Sequence, residues 1–225
     1  TVLALTVGHP LFAVQLVADW VEQGTLQKGP DGYVLAHPET QDFPLDLDAL
    51  FERRVERVLA NFDAPARLAL EAAAALGQGV DELEWVGVCA RLGVTPPAEL
   101  TETLFERGLA RPGLTGWSFT YRSINEALLR NASERKAQIH AACAEVISAA
   151  PGSGANPVER RARHLLEAGQ FEEALDPILS AAEDRLEIGD FDRAEGAASD
   201  AERLLDHLRA PRSDGRRGRT WVIRA

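Results

Sequence analysis

Apolar residues recur at helical spacing along most of this chain, and Pro, Gly and small polar residues divide the pattern into three blocks. The first block opens with a helix that begins at Pro10, because the fixed φ of proline suits a first helical turn. Its apolar positions continue to Val21, and Gly24 is a suitable C-cap. The pattern therefore predicts one amphipathic helix between Pro10 and Gly24.

Shorter alternating segments follow this helix and indicate a β-hairpin. The strands are TLQKG and YVLA, and the turn between them is GPDG. After the loop HPETQDFPLD, the segment DALFERRVERVLANF places its apolar residues on one helical stripe, and Asp46 or Asp48 can cap it. We assign residues 1–62 to this first unit.

The second block, residues 63–150, contains three short helices followed by a β-ribbon. The helices are DAPARLALEAAAALG, DELEWVGVCARLG and PPAELTETLFERG, and each ends at a glycine. The segment LARPGLTGWSFTYR then alternates, with Gly113 and Gly116 in its turn, and a helix with a kink at NAS follows from near Ser123. This order of elements is that of a winged-helix domain, which we predict here.

The same block supplies the predicted core. Apolar positions on its third helix and on the wing should face the helices that follow the wing. The residues expected in this core are Leu104, Phe105, Leu109, Trp117, Phe119, Ile124, Leu128 and Ile139. We expect His140 to be a packed core histidine that hydrogen bonds through one ring nitrogen.

The third block follows the linker APGSGANP and contains a weak internal repeat. LLEAGQFEEALDPIL and RLEIGDFDRAEGAA align with Gly169 and Gly189 twenty residues apart. Gly at a corner, an aromatic residue two positions later and Ala at helix contacts are typical of stacked helical hairpins. We therefore predict tetratricopeptide-like hairpins over residues 157–208. The tail, residues 209–225, contains Pro, Gly and like charges, and we predict that it is flexible.

Composition supports a globular chain of the mainly α class. Of the 225 residues, 45% are hydrophobic and 26% are charged, which suffices for a sizeable core. The net charge of −11 is uneven: the tail carries six Arg and one Asp, so it contributes +5 and residues 1–208 contribute −16. An acidic body argues against a nucleic-acid binder, since phosphate contacts need clustered Lys and Arg.

Residue patterns for catalysis or metal binding are absent from the sequence. The five histidines are not at ligand spacing, and neither a GxxxxGK[ST] phosphate loop nor a G-x-S-x-G elbow occurs. Cys89 and Cys143 lie in apolar helical patterns and are interpreted as reduced core residues, the alternative being a disulfide. The chain by itself is therefore not expected to be an enzyme, and no metal or cofactor is predicted for it.

The beginning of the chain, TVLALTVGHPLFAVQLVADWV, is apolar but does not resemble a targeting segment. It lacks a basic leader and is interrupted by His9, Pro10, Gln15 and Asp19, so we predict neither a signal peptide nor a membrane span. A cytoplasmic location follows as an expectation. The sequence contains no Met, even at position 1, which suggests a piece of a longer polypeptide.

Three segments together resemble one protein family. The segments are GHPLFAVQLVADWVEQGTL, LDALFERRVERVLANFDAPARLALEAAAALG and WSFTYRSINEALLRNASERKAQIHAACAEV. Their order and spacing are those found in bacterial STAND-type AAA ATPases. These include LuxR-type regulators and ATPase modules fused to Ser/Thr protein kinases or nucleotide cyclases. The resemblance covers about residues 1–208. It implies an ATPase lid remnant, a winged-helix domain and the start of tetratricopeptide-like repeats, with the nucleotide-binding core upstream of Thr1.

The resemblance also implies which residues would meet nucleotide. Gly8, His9 and Pro10, with Leu11, match the family's lid element, and Pro10 would pack near the adenine of ATP or ADP bound by the upstream core. Tyr121 stands where related ATPases have a His that senses the β-phosphate, and Arg122 follows it. The residues also permit a simpler interpretation, in which GHP merely starts a helix and Tyr121 is a half-buried wing residue.

The implied function is that of a regulatory and interaction segment of a multidomain signalling ATPase. Its partners would be the upstream core and downstream repeats of the same chain, or proteins bound through the repeat face, including a second copy. That face carries Leu175, Ile178, Leu179, Leu186 and Leu204.

Two other functions stay open at this point. A DNA-binding winged helix is opposed by the acidic segment PAELTETLFERG, and a stand-alone repeat adaptor would need no ATPase at all.

Overall fold

The computed structural model describes residues 2–29, 32–36, 43–149 and 156–225. Within them the chain is mainly helical with a few short antiparallel strands, which confirms the predicted fold class at that level. In chain order the elements are α1 (Val2–Leu5), α2 (Pro10–Glu22), β1 (Leu26–Gly29), β2 (Gly32–Leu35), α3 (Leu47–Leu59), α4 (Ala64–Leu76), β3 (Gly79–Asp81), α5 (Glu82–Arg91), α6 (Ala98–Glu106), β4 (Ala110–Pro112), β5 (Gly116–Phe119), α7 (Arg122–Asn131), α8 (Lys136–Ala149), α9 (Pro157–Glu167), α10 (Phe171–Glu187), α11 (Phe191–His207) and α12 (Gly215–Arg224). In this described part, no helix combines the length and hydropathy needed to cross a membrane.

The first unit packs α2 against the hairpin and α3. The predicted hairpin is confirmed: β1 and β2 pair antiparallel, with Leu26 opposite Leu35. Of the two proposed caps for α3, Asp46 is the one used, because its side chain accepts the Ala49 N–H at 2.8 Å. A small cluster formed by Phe12, Leu16, Trp20 and Leu50 holds the unit together. The predicted turn at 30–31 and part of the loop, at 37–42, lie outside the described residues.

The second unit surrounds α4, which is buried along most of its length. The predicted β-ribbon is present as β4 and β5, with the Gly113 N–H donating to the Gly116 carbonyl at 2.8 Å. The prediction of two strands is incomplete, however, because β3 pairs antiparallel with β5 and gives a three-stranded sheet of order β3-β5-β4. Gly79–Asp81 is too short to show an alternating pattern, so only its pairing with a distant strand reveals it.

The core of the second unit contains the residues expected there, with one exception. Phe105 is only partly buried and packs at the edge of the cluster, whereas the other predicted positions are buried. The buried ones are Leu104, Leu109, Trp117, Phe119, Ile124, Leu128 and Ile139. Cys89 and Cys143 are both buried and free, as predicted, and burial raises the pKa of each thiol to about 12. The helix after the wing is interrupted between α7 and α8, where the NAS kink was predicted.

The third unit stacks α9 to α12 as successive helices. Gly169 and Gly189 each adopt a positive φ, 74° and 80°, at the corners that precede α10 and α11. A residue with a Cβ would be strained in that conformation, which explains the shared glycine of the repeat. Most of the predicted linker, residues 150–155, lies outside the described residues, but Asn156 caps α9 by accepting the Glu159 N–H at 3.1 Å.

The prediction of a flexible tail is wrong for most of its length, because Gly215–Arg224 forms α12. The prediction considered only the like charges within the tail. In the folded chain, arginines of the tail form ion pairs with carboxylates of α10 and α11. The pairs are Arg216–Glu172, Arg217–Asp206, Arg219–Asp176, Arg219–Glu183 and Arg224–Glu202.

This helix also contributes to the expected partner face. Leu175, Ile178 and Leu179 are buried within the chain, and Ile223 of α12 belongs to the same apolar cluster. Leu186 and Leu204 are partly buried against that cluster. These five positions are therefore buried or partly buried within the described chain, and their use by a partner stays a prediction.

Candidate functional site

The start of α2 is built by the three residues that match the lid element. Gly8 has φ 74°, which a non-glycine residue rarely adopts, and Pro10 occupies the first helical turn. The His9 Nδ1 accepts the Phe12 N–H at 3.2 Å, so the imidazole acts as the N-cap. All three residues are exposed at one end of the molecule. This geometry accounts for each residue type through helix initiation, without a ligand.

A cavity of about 430 Å³ lies beside His9. Its walls come from Leu5, Phe12 and the beginning of α3, including Asp46 and Asp48. An apolar floor beside two carboxylates suits a flat uncharged group such as adenine, whereas it repels a phosphate. Neither Tyr121 nor Arg122 borders this cavity.

Tyr121 lies at the beginning of α7 and faces inward. Its ring stacks on Phe51 of α3 with a centroid separation of 5.2 Å, and its hydroxyl accepts a hydrogen bond from Gln15 Nε2 at 3.2 Å. Arg122 points the other way: its side chain is 82% exposed and pairs with Glu126 at 2.7 Å. The two residues expected to meet phosphate together are therefore on different surfaces.

The structure connects Tyr121 to α2 through Gln15, and not through His9. Gln15 follows His9 by six residues, which places them about 9 Å apart along the helix axis. Gln15 Oε1 accepts from Arg54 Nη1 at 2.8 Å, while Arg54 Nη2 donates to the Arg107 carbonyl at 2.6 Å. Glu22 pairs with both arginines. This network ties α2, α3, the end of α6 and the start of α7.

Sequence reasoning missed this network, although one signal was present. Arg54 falls on the apolar stripe of α3, one turn after Leu50 and Phe51 and one turn before Val58. A charge at a core-facing position is costly unless it is paired, so its presence indicates buried partners. Arg54 is only 8% exposed, and its bonds supply those partners. Gln15 carried no comparable signal, because a polar residue on a partly exposed helix is common.

A second polar cluster joins the second unit to the third. The buried Glu84 of α5 accepts two hydrogen bonds from Arg160 of α9, at 2.8 and 2.5 Å. This bidentate pair raises the pKa of the Arg160 guanidinium. At the rim, Lys136 of α8 pairs with Glu167 of α9 at 2.5 Å. The joint between α8 and α9 is therefore held by directed bonds as well as by apolar packing.

The same joint contains a buried pair of histidines. His140 of α8 and His164 of α9 lie with their Nδ1 atoms 2.9 Å apart, so one ring must carry the proton between them. Burial lowers the pKa of His140 to about 4 and that of His164 to about 3, which keeps both rings neutral near pH 7. The prediction of a packed His140 bonded through one nitrogen is confirmed. Its partner was not predicted, since 24 residues separate the two histidines.

Two further observations bear on chemistry. Within the described ranges, no three His, Cys, Asp or Glu side chains converge as a metal site would require. On α6, Glu99, Glu102 and Glu106 are exposed, while Arg107 is engaged by Glu22. The exposed surface of α6 is therefore acidic, which opposes contact with a phosphate backbone.

Comparison of the chain with protein-family models, with characterised proteins and with solved structures finds no match.

Proposed function

We propose that this chain is the regulatory and protein-interaction segment of a multidomain STAND-type signalling ATPase. In this role it couples the nucleotide state of an upstream core to a helical-repeat sensor, in the cytoplasm. The observation that carries the proposal is two sets of directed contacts between distant elements. They run from α2 through Gln15 and Tyr121 to α7, and from Glu84 through Arg160 to α9.

The architecture supports this assignment. The order α4-β3-α5-α6-β4-β5, with β3 paired to β5, is the element order of a winged-helix domain. Helices α9 to α11, with glycine corners at equivalent positions, fit tetratricopeptide-like hairpins. Together these units would act as a rigid lever, because each joint between them is fixed by hydrogen bonds.

The residues of this chain fit a nucleotide only in part. In the proposed role Gly8, His9 and Pro10 would border adenine, and of these three His9 lines the cavity shared with Leu5 and Phe12. ATP or ADP would be held by the upstream core and would supply the change in charge between the two states. Tyr121 uses its hydroxyl oxygen as an acceptor for Gln15, so its own proton stays available to a second acceptor. Arg122, paired with Glu126, does not assist it in this conformation.

The coupling can be tested on the chain extended by the coding sequence that precedes Thr1. We expect that sequence to contain a phosphate loop, and we expect hydrogen exchange of α9 to α11 to differ between ADP and a non-hydrolysable ATP analogue. Gln15→Ala should abolish this difference, while Gln27→Ala, at an exposed hairpin position, should preserve it. The proposal would be overturned if the upstream sequence had no phosphate loop. It would also be overturned if hydrogen exchange of α9 to α11 were the same with ADP and with the ATP analogue.

The chain alone should not bind ATP tightly, because it lacks a Gly-rich backbone nest with a Lys for the phosphates. Calorimetry on residues 1–225 should therefore give no heat of binding at low-micromolar ATP. Binding in that range would show that these residues hold nucleotide by themselves, and it would contradict the proposal that the upstream core holds it.

One observation favours a second candidate, a stand-alone repeat adaptor. Helix α12 packs on α10 and α11 and adds Ile223 to their apolar cluster, so part of the repeat face is occupied by the described chain itself. Two findings together would favour this candidate. The gene would encode no ATPase upstream of Thr1, and the chain by itself would bind a protein partner.

A further inference from the structure

Helix α12 occupies a groove whose walls are acidic. The carboxylates that face it lie at helical spacing on α10 and on α11, so each helix presents one acidic stripe to the same groove. The stripe residues are Glu172, Asp176, Glu183, Glu202 and Asp206. The occupant matches them with four arginines, and the charge complementarity therefore extends along the whole helix.

Arg219 makes the densest set of these contacts. Its guanidinium donates to Glu183 at 2.8 Å through two nitrogens, to Asp176 at 3.0 Å and to Ser180 at 3.3 Å. A planar guanidinium satisfies such a set of acceptors in a way that a lysine ammonium does not. The groove thus selects arginine at this position.

The apolar contribution of α12 to the contact is small. Only Thr220 and Ile223 are buried, and the Thr220 hydroxyl bonds within its own helix, to the Arg217 carbonyl. Trp221 and Val222 are 68% and 72% exposed. The helix is therefore anchored by one isoleucine and a row of ion pairs, which solvent and salt weaken where they are exposed.

The sequence of α12 does not favour a helix by itself. Ten residues are too few for an isolated helix, and Gly215 and Gly218 lower the propensity further, as do the β-branched residues at 220, 222 and 223. The segment before it, which contains Pro211, has no regular structure. Contact with the groove therefore orders α12. The irregular segment before α12 is a linker that would let the helix leave the groove while staying attached to the chain.

We propose that the groove between α10 and α11 is a binding site for an arginine-rich amphipathic helix of a partner protein, and that α12 occupies it in cis as an exchangeable stand-in. The partner helix carries arginines at the positions of Arg216 and Arg219 and one aliphatic residue at that of Ile223. This inference rests on the interaction role in the proposed function and does not require an ATPase core, so the two can fail separately.

A labelled peptide of residues 211–225 is the probe, and fluorescence anisotropy with the full chain is the measurement. Arg219→Glu in the chain weakens its own α12 and should raise the affinity for the wild-type peptide about tenfold. Glu183 and Asp176 are 43% and 69% exposed, so this change leaves them solvated and the fold intact. Arg212→Glu, outside α12 and exposed, is the matched control and should leave the affinity unchanged.

Charge exchange across the groove tests the site itself. Adding Glu183→Arg to a chain that carries Arg219→Ala, which restores no charge pair within the chain, should remove binding of the wild-type peptide, and a peptide carrying Arg219→Glu should recover it. Glu187→Arg, at an exposed position on the same helix, should leave binding as it was. Raising the salt concentration from 50 to 500 mM should lower the affinity at least tenfold.

Three results would overturn the proposal. The first is equal peptide affinity of the Arg219→Glu and Arg212→Glu chains, which would make α12 a fixed part of the array. The second is equal binding of a scrambled peptide, which would reduce the contact to net charge. The third is a concentration-dependent dimer of the wild-type chain that Arg219→Glu abolishes, which would assign the groove to a second copy and not to a partner.

Discussion

At the scale of single residues, the informative positions are polar groups inside apolar faces. Arg54, Glu84, His140 and His164 are all buried or nearly so, and each has a specific partner in another element. Burial of such groups is unfavourable unless their hydrogen bonds are replaced, so their partners must be preformed. These residues therefore fix how the helices sit against one another, which apolar packing alone leaves less specific.

The largest effect of a single core change is expected at Phe119. This ring is fully buried in the second unit, against Trp117 with a centroid separation of 5.0 Å. Phe119→Ala should lower the free energy of unfolding by about 3–5 kcal/mol, through lost transfer energy and a cavity. Urea denaturation provides the measurement. Phe191→Ala, at a side chain that is 66% exposed, is the control and should cost about 0.5 kcal/mol or less.

Acid should destabilise the chain through the histidine pair. Above pH 6.5 both rings are neutral whether the chain is folded or unfolded, so the pair makes no pH-dependent contribution. Below it the unfolded chain takes up protons, while the folded pKa values of about 4 and about 3 prevent uptake. Stability is thus present above pH 6.5 and is lost as pH falls towards 4.

Denaturation at pH 7.0 and 4.5 measures this loss, which we expect to be about 2–3 kcal/mol for each histidine and about 5 kcal/mol for the pair. Because acid also protonates carboxylates, and the hydrogen bond from Lys136 lowers the pKa of Glu167 beside His140, the comparison is with the double variant His140→Gln, His164→Gln. The double variant should lose less free energy of unfolding between pH 7.0 and 4.5 than the wild-type chain does. His9→Gln, at an exposed helix cap, should lose as much as the wild-type chain. Equal losses in all three proteins would contradict the assignment.

At the scale of elements, the three-stranded sheet depends on one glycine. Gly116 lies opposite Asp81 in the pairing of β5 with β3. A Cβ at Gly116 would collide with the Val80 carbonyl and lie 2.8 Å from the Glu82 nitrogen, both of which are backbone atoms that cannot swing away. The residue is therefore required by the third strand and not merely by the turn.

Gly116→Ala should accordingly cost about 3 kcal/mol or more, as overpacking against the backbone does. Gly79→Ala, on β3 itself, meets nothing within 4 Å and has no positive φ, so it should be neutral or slightly stabilising. Thermal unfolding of the two variants distinguishes a steric clash at Gly116 from the effect of replacing any glycine of this sheet by alanine. Similar melting temperatures would show that β3 does not pair with β5 as described.

At the scale of the whole molecule, the joint between the second and third units decides whether they move as one body. Arg160→Ala leaves Glu84 buried without its partner, which should cost about 3–5 kcal/mol at this joint. We expect unfolding to separate into two transitions, observed by calorimetry. Arg163→Ala, on the same helix but exposed, should keep a single transition. One transition in both variants would indicate that apolar packing alone couples the units.

The sequence by itself determined the features that depend on neighbouring residues. Pro10 starts a helix, the hairpin follows from its turn, and Gly169 and Gly189 close corners, because the chemistry of each lies within a few positions; the cap of α3 was narrowed to Asp46 or Asp48. The alternation around Trp117 and Phe119 likewise identified much of the core. Of the proposed nucleotide-facing residues, sequence placed Gly8 to Pro10 at a helix start, and the structure agrees.

Only the tertiary structure decided which distant residues meet. Gln15 and Tyr121 are 106 positions apart, Glu84 and Arg160 are 76 apart, and Arg219 and Glu183 are 36 apart. Local periodicity carries no information on such pairs, so β3, the histidine pair and α12 could not be predicted. The tail shows the reason most plainly: its own charges repel one another and its own propensity is poor, but the carboxylates of two other helices supply the free energy that orders it.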